Sequence, residues 1–193
     1  MNALPTSPLL SAEEQGLSLG LARRAVCSAL CGDPPPLSAG VPARLLERQG
    51  AFVTLRQDRA LRGCIGIVPA TDPLIETIIR CAVAAALEDP RFPPVGLDEM
   101  PRLTVEVSVL APARRVIDVE EIEVGRHGLI IAQRGRRGLL LPQVALEHGW
   151  DRLTLLRETC RKANLDPDAW QRGARIEVFS AQVFSDESVR APG

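Results

Sequence analysis

The chain has 193 residues, 46% hydrophobic and 24% charged, enough for one globular domain or at most two small lobes. With 23 basic against 24 acidic side chains the formal net charge is −1, so no global field gathers nucleic acid or an anionic membrane. No apolar run approaches the length of a bilayer span. No charged segment followed by an apolar one precedes Arg23, the first basic residue, so no secretion signal is read. Five cysteines is an odd number in a chain long enough to fold without staples. The expectation is a cytoplasmic protein with reduced thiols.

Ser11-Ala12-Glu13-Glu14 has the form of a capping box. It opens a helix of about 20 residues by the spacing of Leu17, Leu21, Ala25 and Leu30, which Gly32 should stop. Residues 7–48 are expected to be a helical part contributing to a smaller lobe. Gly50 starts a change of period: Ala51, Val53 and Leu55 alternate, Gln57-Asp58-Arg59 turns, and Leu61 to Val68 follows as the second strand of a hairpin. Asp72-Pro73 predicts an N-cap followed by proline at the first helical position. A broad apolar stripe from Leu74 to Ala86 should then pack on the sheet.

Leu103, Val105, Val107 and Val109 alternate with Thr104, Glu106 and Ser108, the pattern of a half-buried antiparallel strand. A second hairpin is predicted from Gly128 to Leu141, turning at Arg134-Gly135-Arg136. Pro142 starts a short helix ending at Gly149, and Asp151 caps another that closes at Asn164 and Pro167. Arg175 to Phe184 reads as one last strand, with residues 186–193 as a loose tail. Strand pairs joined by short turns, with helices between them, predict an α+β fold with a mainly antiparallel sheet, as a single domain over residues 7–185.

The strand Leu61-Arg62-Gly63-Cys64-Ile65-Gly66 is the most informative stretch. By strand alternation Arg62, Cys64, Gly66 and Val68 share one face, with Arg62 and Cys64 about 7 Å apart. A guanidinium there would lower the thiol pKa and favour the reactive thiolate. Gly63 and Gly66 on either side suggest close approach by a ligand or another backbone. A buried structural cysteine, with the glycines serving a bulge, explains the same pattern, and spacing alone leaves both readings open.

The same hexapeptide resembles the hallmark of the AMMECR domain family, whose prokaryotic branch is protein A of the AmmeMemoRadiSam system. Further strings match in order: Gly50 to Leu55; Asp89-Pro90-Arg91-Phe92-Pro93-Pro94-Val95; Ser108-Val109-Leu110; Gly125 to Leu129; Leu141-Pro142-Gln143-Val144; Glu147; Gly149-Trp150; and Arg161-Lys162-Ala163. The family often has glycine where this chain has Asn164, a position that needs only a residue tolerant of left-handed backbone. The resemblance implies an antiparallel sheet with flanking helices in two unequal lobes and a cleft lined by the motif. It also implies association with a Memo-like protein and a radical SAM protein. It implies no particular reaction.

Cys64, Arg62 and His127 are therefore the candidate catalytic residues, His127 as the base that deprotonates the thiol. Gly63, Gly66, Gln143, Glu147 and Lys162 are candidate binding residues, with Glu147 and Lys162 bringing a carboxylate and an ammonium. A loop histidine without a catalytic partner and solvated surface charges are the plainer readings. Cys27 and Cys31 lack the further ligands of a zinc site. Gly63-Cys64-Ile65-Gly66 has neither a phosphate-loop lysine nor Rossmann spacing, so neither a metal nor a cofactor is expected. Three functions stay in view: a Cys64-dependent enzyme or redox site, a non-catalytic ligand- or protein-binding module using the same cleft, and, least favoured, nucleic-acid binding through the arginines.

Overall fold

The structure, a computed structural model, describes residues 9–36 and 40–187. It is α+β, with two four-stranded antiparallel sheets. They belong to two compact units: residues 9–110 with 182–187 form one, and residues 111–181 the other.

The first unit opens with helix α1 (Ala12–Cys31). The Ser11 hydroxyl accepts from the Glu14 N–H, and the Glu14 carboxylate accepts from the Ser11 N–H at 2.8 Å, so two orphan donors are satisfied reciprocally. Gly32, at φ 75°, ends the helix in the left-handed conformation that only glycine adopts without strain. Strands β1 (Ala51–Gln57) and β2 (Ala60–Ile67) form the expected hairpin, with Asp58 and Arg59 both at positive φ in the turn. Helix α2 (Leu74–Leu87), β3 (Leu103–Leu110) and β8 (Ala181–Ser185) complete the unit, with strand order β2-β1-β3-β8. Val53, Leu55, Val105 and Val107 point to one face and share a buried cluster with Leu21 and Val26 of α1 and Ile75 and Ile78 of α2. At about 1.5–3 kcal/mol per fully buried aliphatic side chain, this layer dominates the unit's stability.

The second unit holds β4 (Arg114–Val116), β5 (Gly128–Gln133), β6 (Arg136–Leu140), α3 (Pro142–Glu147), α4 (Arg152–Lys162) and β7 (Arg175–Phe179), with strand order β4-β7-β5-β6. Asp151 caps α4 through its carboxylate, which accepts from the Thr154 N–H at 2.8 Å. Asn164 follows that helix at φ 54°, as the αL requirement anticipated. Leu129, Ile131, Leu155, Leu156, Ile176 and Val178 make a separate core.

Four expectations are corrected. The helical segment before residue 48 does not belong to a smaller lobe: Leu10, Leu21 and Val26 are buried in the same cluster as β1 and β3, and the division falls after residue 110. Asp72 does not cap α2. Its carboxylate is taken by Arg80 and Thr71, leaving Pro73 at the cap position without a side-chain bond. The stretch Arg175 to Phe184 is two strands in different sheets, β7 and β8, parted by Ser180 alone. The tail is tied down at its start: Asp186 pairs with Arg23 and accepts from the Val105 N–H, and Glu187 accepts from Thr104. Residues 188–193 lie outside the described residues.

Candidate functional site

The motif strand β2 is an edge strand, bonded to β1 on one side only. Its pairing is regular from Ala51↔Ile67 to Leu55↔Gly63, then slips, so that Arg56 faces Leu61 and Arg62 has no partner of its own. Arg62 is the extra residue of a β-bulge, a device that re-aims a side chain. The guanidinium runs to Glu99 in a two-pronged ion pair, at 2.8 and 2.9 Å, and donates to the carbonyls of Pro93 and Pro94. Arg62 holds Glu99 down to a pKa of about 2, helped by the Gly96 N–H. Arg62 thus fastens β2 to the loop before β3 and acts there, not on the thiol.

Gly63 faces α2. A Cβ at this position would stand 2.0 Å from the Ala85 carbonyl oxygen, so the helix backbone lies directly on the strand. Gly66 lies under the Phe52 ring, 2.2 Å from where its Cβ would be. Both glycines allow close approach, but by the protein's own α2 and Phe52.

Cys64 faces Thr54 across the hairpin. The Thr54 hydroxyl donates to the sulfur at 3.3 Å. The outward edge of Cys64 is closed by the loop after α2. Its N–H donates to the Asp89 carboxylate at 2.8 Å, and its carbonyl accepts from the Arg91 guanidinium at 3.4 Å. Asp89 and Arg91 hold each other by two side-chain contacts, at 2.9 and 2.6 Å. Asp89 is buried; Arg91, with the backbone N–H groups of Cys64 and Arg91, keeps its carboxyl well below the usual carboxylate range. This pair stands where a neighbouring strand would otherwise bond.

Burial pushes the Cys64 thiol up from its ordinary pKa. The Thr54 hydroxyl and the Arg91 charge pull the other way, while Asp89 and Glu106 add to the rise. The sulfur is therefore held as a thiol at neutral pH, and the thiolate is the nucleophilic form.

The remaining candidates lie in the second unit. His127 is buried, and its Nδ1 accepts from the Glu123 N–H at 3.1 Å, closing the turn before β5. Burial lowers its pKa, so the ring is neutral near pH 7. It has the bonding of a turn-forming histidine. Gln143 is half-buried on the first turn of α3; Glu147 ends the same helix and is exposed; Lys162, also exposed, ends α4. Within the first unit the structure joins Cys64 to Thr54, Asp89 and Arg91, none of which was among the candidate residues. All three sit in strings that carried the family resemblance, and that was the signal available. Among the described residues no group of three or more histidine, cysteine, aspartate or glutamate side chains is placed to hold a metal, and no helix is long and apolar enough to cross a membrane.

Two antiparallel sheets with their helices, and an edge strand reading Leu-Arg-Gly-Cys-Ile-Gly latched by an Asp-Pro-Arg loop, define an AMMECR-type α+β protein. The AMMECR1 family model matches residues 19–184, and the chain belongs to that family. A Methanopyrus kandleri protein is 42% identical over 193 residues, covering 95% of this chain and 93% of its own. A Pyrococcus furiosus protein is 45% identical over 163 residues, covering 79% and 78%. The crystal structure of an uncharacterised Pyrococcus horikoshii protein aligns with TM-score 0.89 at 42% identity, covering 95% of this chain and 96% of that one.

Proposed function

We propose that the chain is a non-catalytic binding module whose motif strand and Asp89–Val95 loop form a preset docking surface for a partner protein. The observation that carries this is the latch at Cys64, whose backbone N–H and C=O are taken by Asp89 and Arg91, while burial pushes its thiol pKa up rather than down. A nucleophile needs the opposite, a thiolate with room in front of it. Around the latch the surface suits recognition. Leu61 and Leu97 are exposed, at 37% and 53%, beside exposed Pro93 and Pro94 and the Arg91 guanidinium over the Phe92 ring. Rigid prolines lose little entropy on binding, and an arginine stacked on an aromatic ring is a favoured interface element. The family resemblance supplies the partner: a Memo-like protein, in association with a radical SAM protein. The reading places the work in the cytoplasm, without a membrane or nucleic acid.

Titration calorimetry of the full chain with the Memo-like protein of the same genome tests this. Arg91→Glu should weaken binding at least tenfold, while Cys64→Ser should stay within about threefold of the parent, the loss of one hot-spot residue being worth about 2 kcal/mol. The alternative, a Cys64-dependent enzyme or redox site, draws on Thr54 and Arg91, which both favour the thiolate. It predicts that Cys64 reacts with iodoacetamide near pH 7 faster than exposed Cys27 and Cys31. That result would remove the binding-only reading.

A further inference from the structure

Cys27 and Cys31 stand apart from the motif site. They lie in the C-terminal part of α1, and both are exposed, whereas Cys81 and Cys160 are buried and Cys64 is half-buried on β2. Four residues apart on a helix, they share one face, with Cβ atoms about 5–6 Å from each other.

That spacing decides between two chemistries. A disulfide needs Cβ atoms about 3.5–4.5 Å apart, so direct S–S closure would force the end of α1 to unwind. A single atom held between the sulfurs spans the wider gap and leaves the helix intact. Zinc is unsuited, since it takes four ligands and no third or fourth is placed there among the described residues. Thiolate ligands select monovalent copper among the soft metals.

We propose that Cys27 and Cys31 form a two-sulfur site for a soft monovalent cation of the copper class. One Cu(I) binds two sulfurs and displaces their two protons, giving a bis-thiolate, with no change in oxidation state.

The test is an anaerobic titration of the fully reduced chain with Cu(I) against bicinchoninate. The expected result is one Cu(I) drawn from the chelator per chain, two protons released per metal, and unchanged helicity by circular dichroism. Cys27→Ser and Cys31→Ser should each abolish this uptake, and Cys64→Ser should leave it intact. Phenylarsine oxide reads the pair without any substitution: it should consume both surface thiols of the parent, forming two As–S bonds and releasing water, and leave the other three titratable. Uptake that survives both serine variants, half an equivalent per chain through dimer formation, or surface thiols untouched by the arsenical would each overturn the proposal.

Discussion

Gly63 is the residue at which the least addition has the largest consequence. A methyl group there meets the Ala85 carbonyl, part of a helix backbone that cannot turn aside as a side chain can. Gly63→Ala should destabilise the protein by about 3 kcal/mol, the upper part of the range for overpacking. Gly20→Ala, in α1 with nothing within 4 Å, should instead stabilise by about 0.5–1 kcal/mol. Urea unfolding of the pair checks both, and equal effects would mean that α2 does not lie on the strand as described. At this scale strand alternation put Arg62 beside the Cys64 thiol, whereas the structure sends its guanidinium to Glu99. Counting back from the turn puts Cys64 opposite Val53. The unpaired Arg62 shifts the register by one, so Thr54 takes that place and the guanidinium goes to Glu99. A bulge is set by packing against α2 and the loop before β3, contacts that strand alternation does not carry. Asp89 escaped notice for a related reason: it lies 25 residues from the amide it caps, and its Asp-Pro context reads simply as a helix end.

The elements themselves were largely legible where a local rule decides them. Ser11 and Asp151 cap their helices, Gly32 stops one, and Asp58-Arg59 and Arg134-Gly135 make their turns at positive φ. Asp72 failed as a cap because Arg80, two turns into the helix, takes its carboxylate. Three-residue β4 was too short for any periodicity, and the last strand's alternation runs straight through the one residue where the chain changes sheets. What anchors the far end of that change is Arg23 of α1. It donates to the carbonyls of Met100 and Leu103 and pairs with Asp186, whose other oxygen accepts from Val105. Arg23→Ala should cost about 2–3 kcal/mol, because charged hydrogen bonds are lost and a largely buried carboxylate is stranded. Asp186→Asn should cost less, and the double variant should show clear non-additivity in equilibrium unfolding. Strictly additive losses would show that the two side chains act separately.

For the whole molecule the sign of the acid response follows from its paired carboxylates. Glu99 has a folded pKa of about 2 against about 4.3 in an unfolded chain. A depressed folded value contributes stability that is complete above the unfolded pKa and is lost as pH falls toward the folded one. Asp89 acts in the same direction. Stability should therefore fall between about pH 4.5 and 2. Glu99→Gln should be less stable than the parent at pH 7, with the gap closing as pH approaches 2. A gap that stays constant with pH, measured by urea unfolding, would remove the Arg62–Glu99 pair as the cause.

The order of the strands along the chain has its own consequence. The first sheet draws on residues 51–110 and then on β8, so the whole second unit is inserted between its third and fourth strands. Leu10, near the start, donates its N–H to Gln182 across 172 positions of sequence. During synthesis the inserted unit has all its strands before the outer one does, and the outer one closes only when β8 leaves the ribosome. Until then β3 waits with an unpaired rim, the kind of exposed template that invites association with a second nascent chain. The brief strand β8, which carries none of the motif, is the piece that ends this exposure.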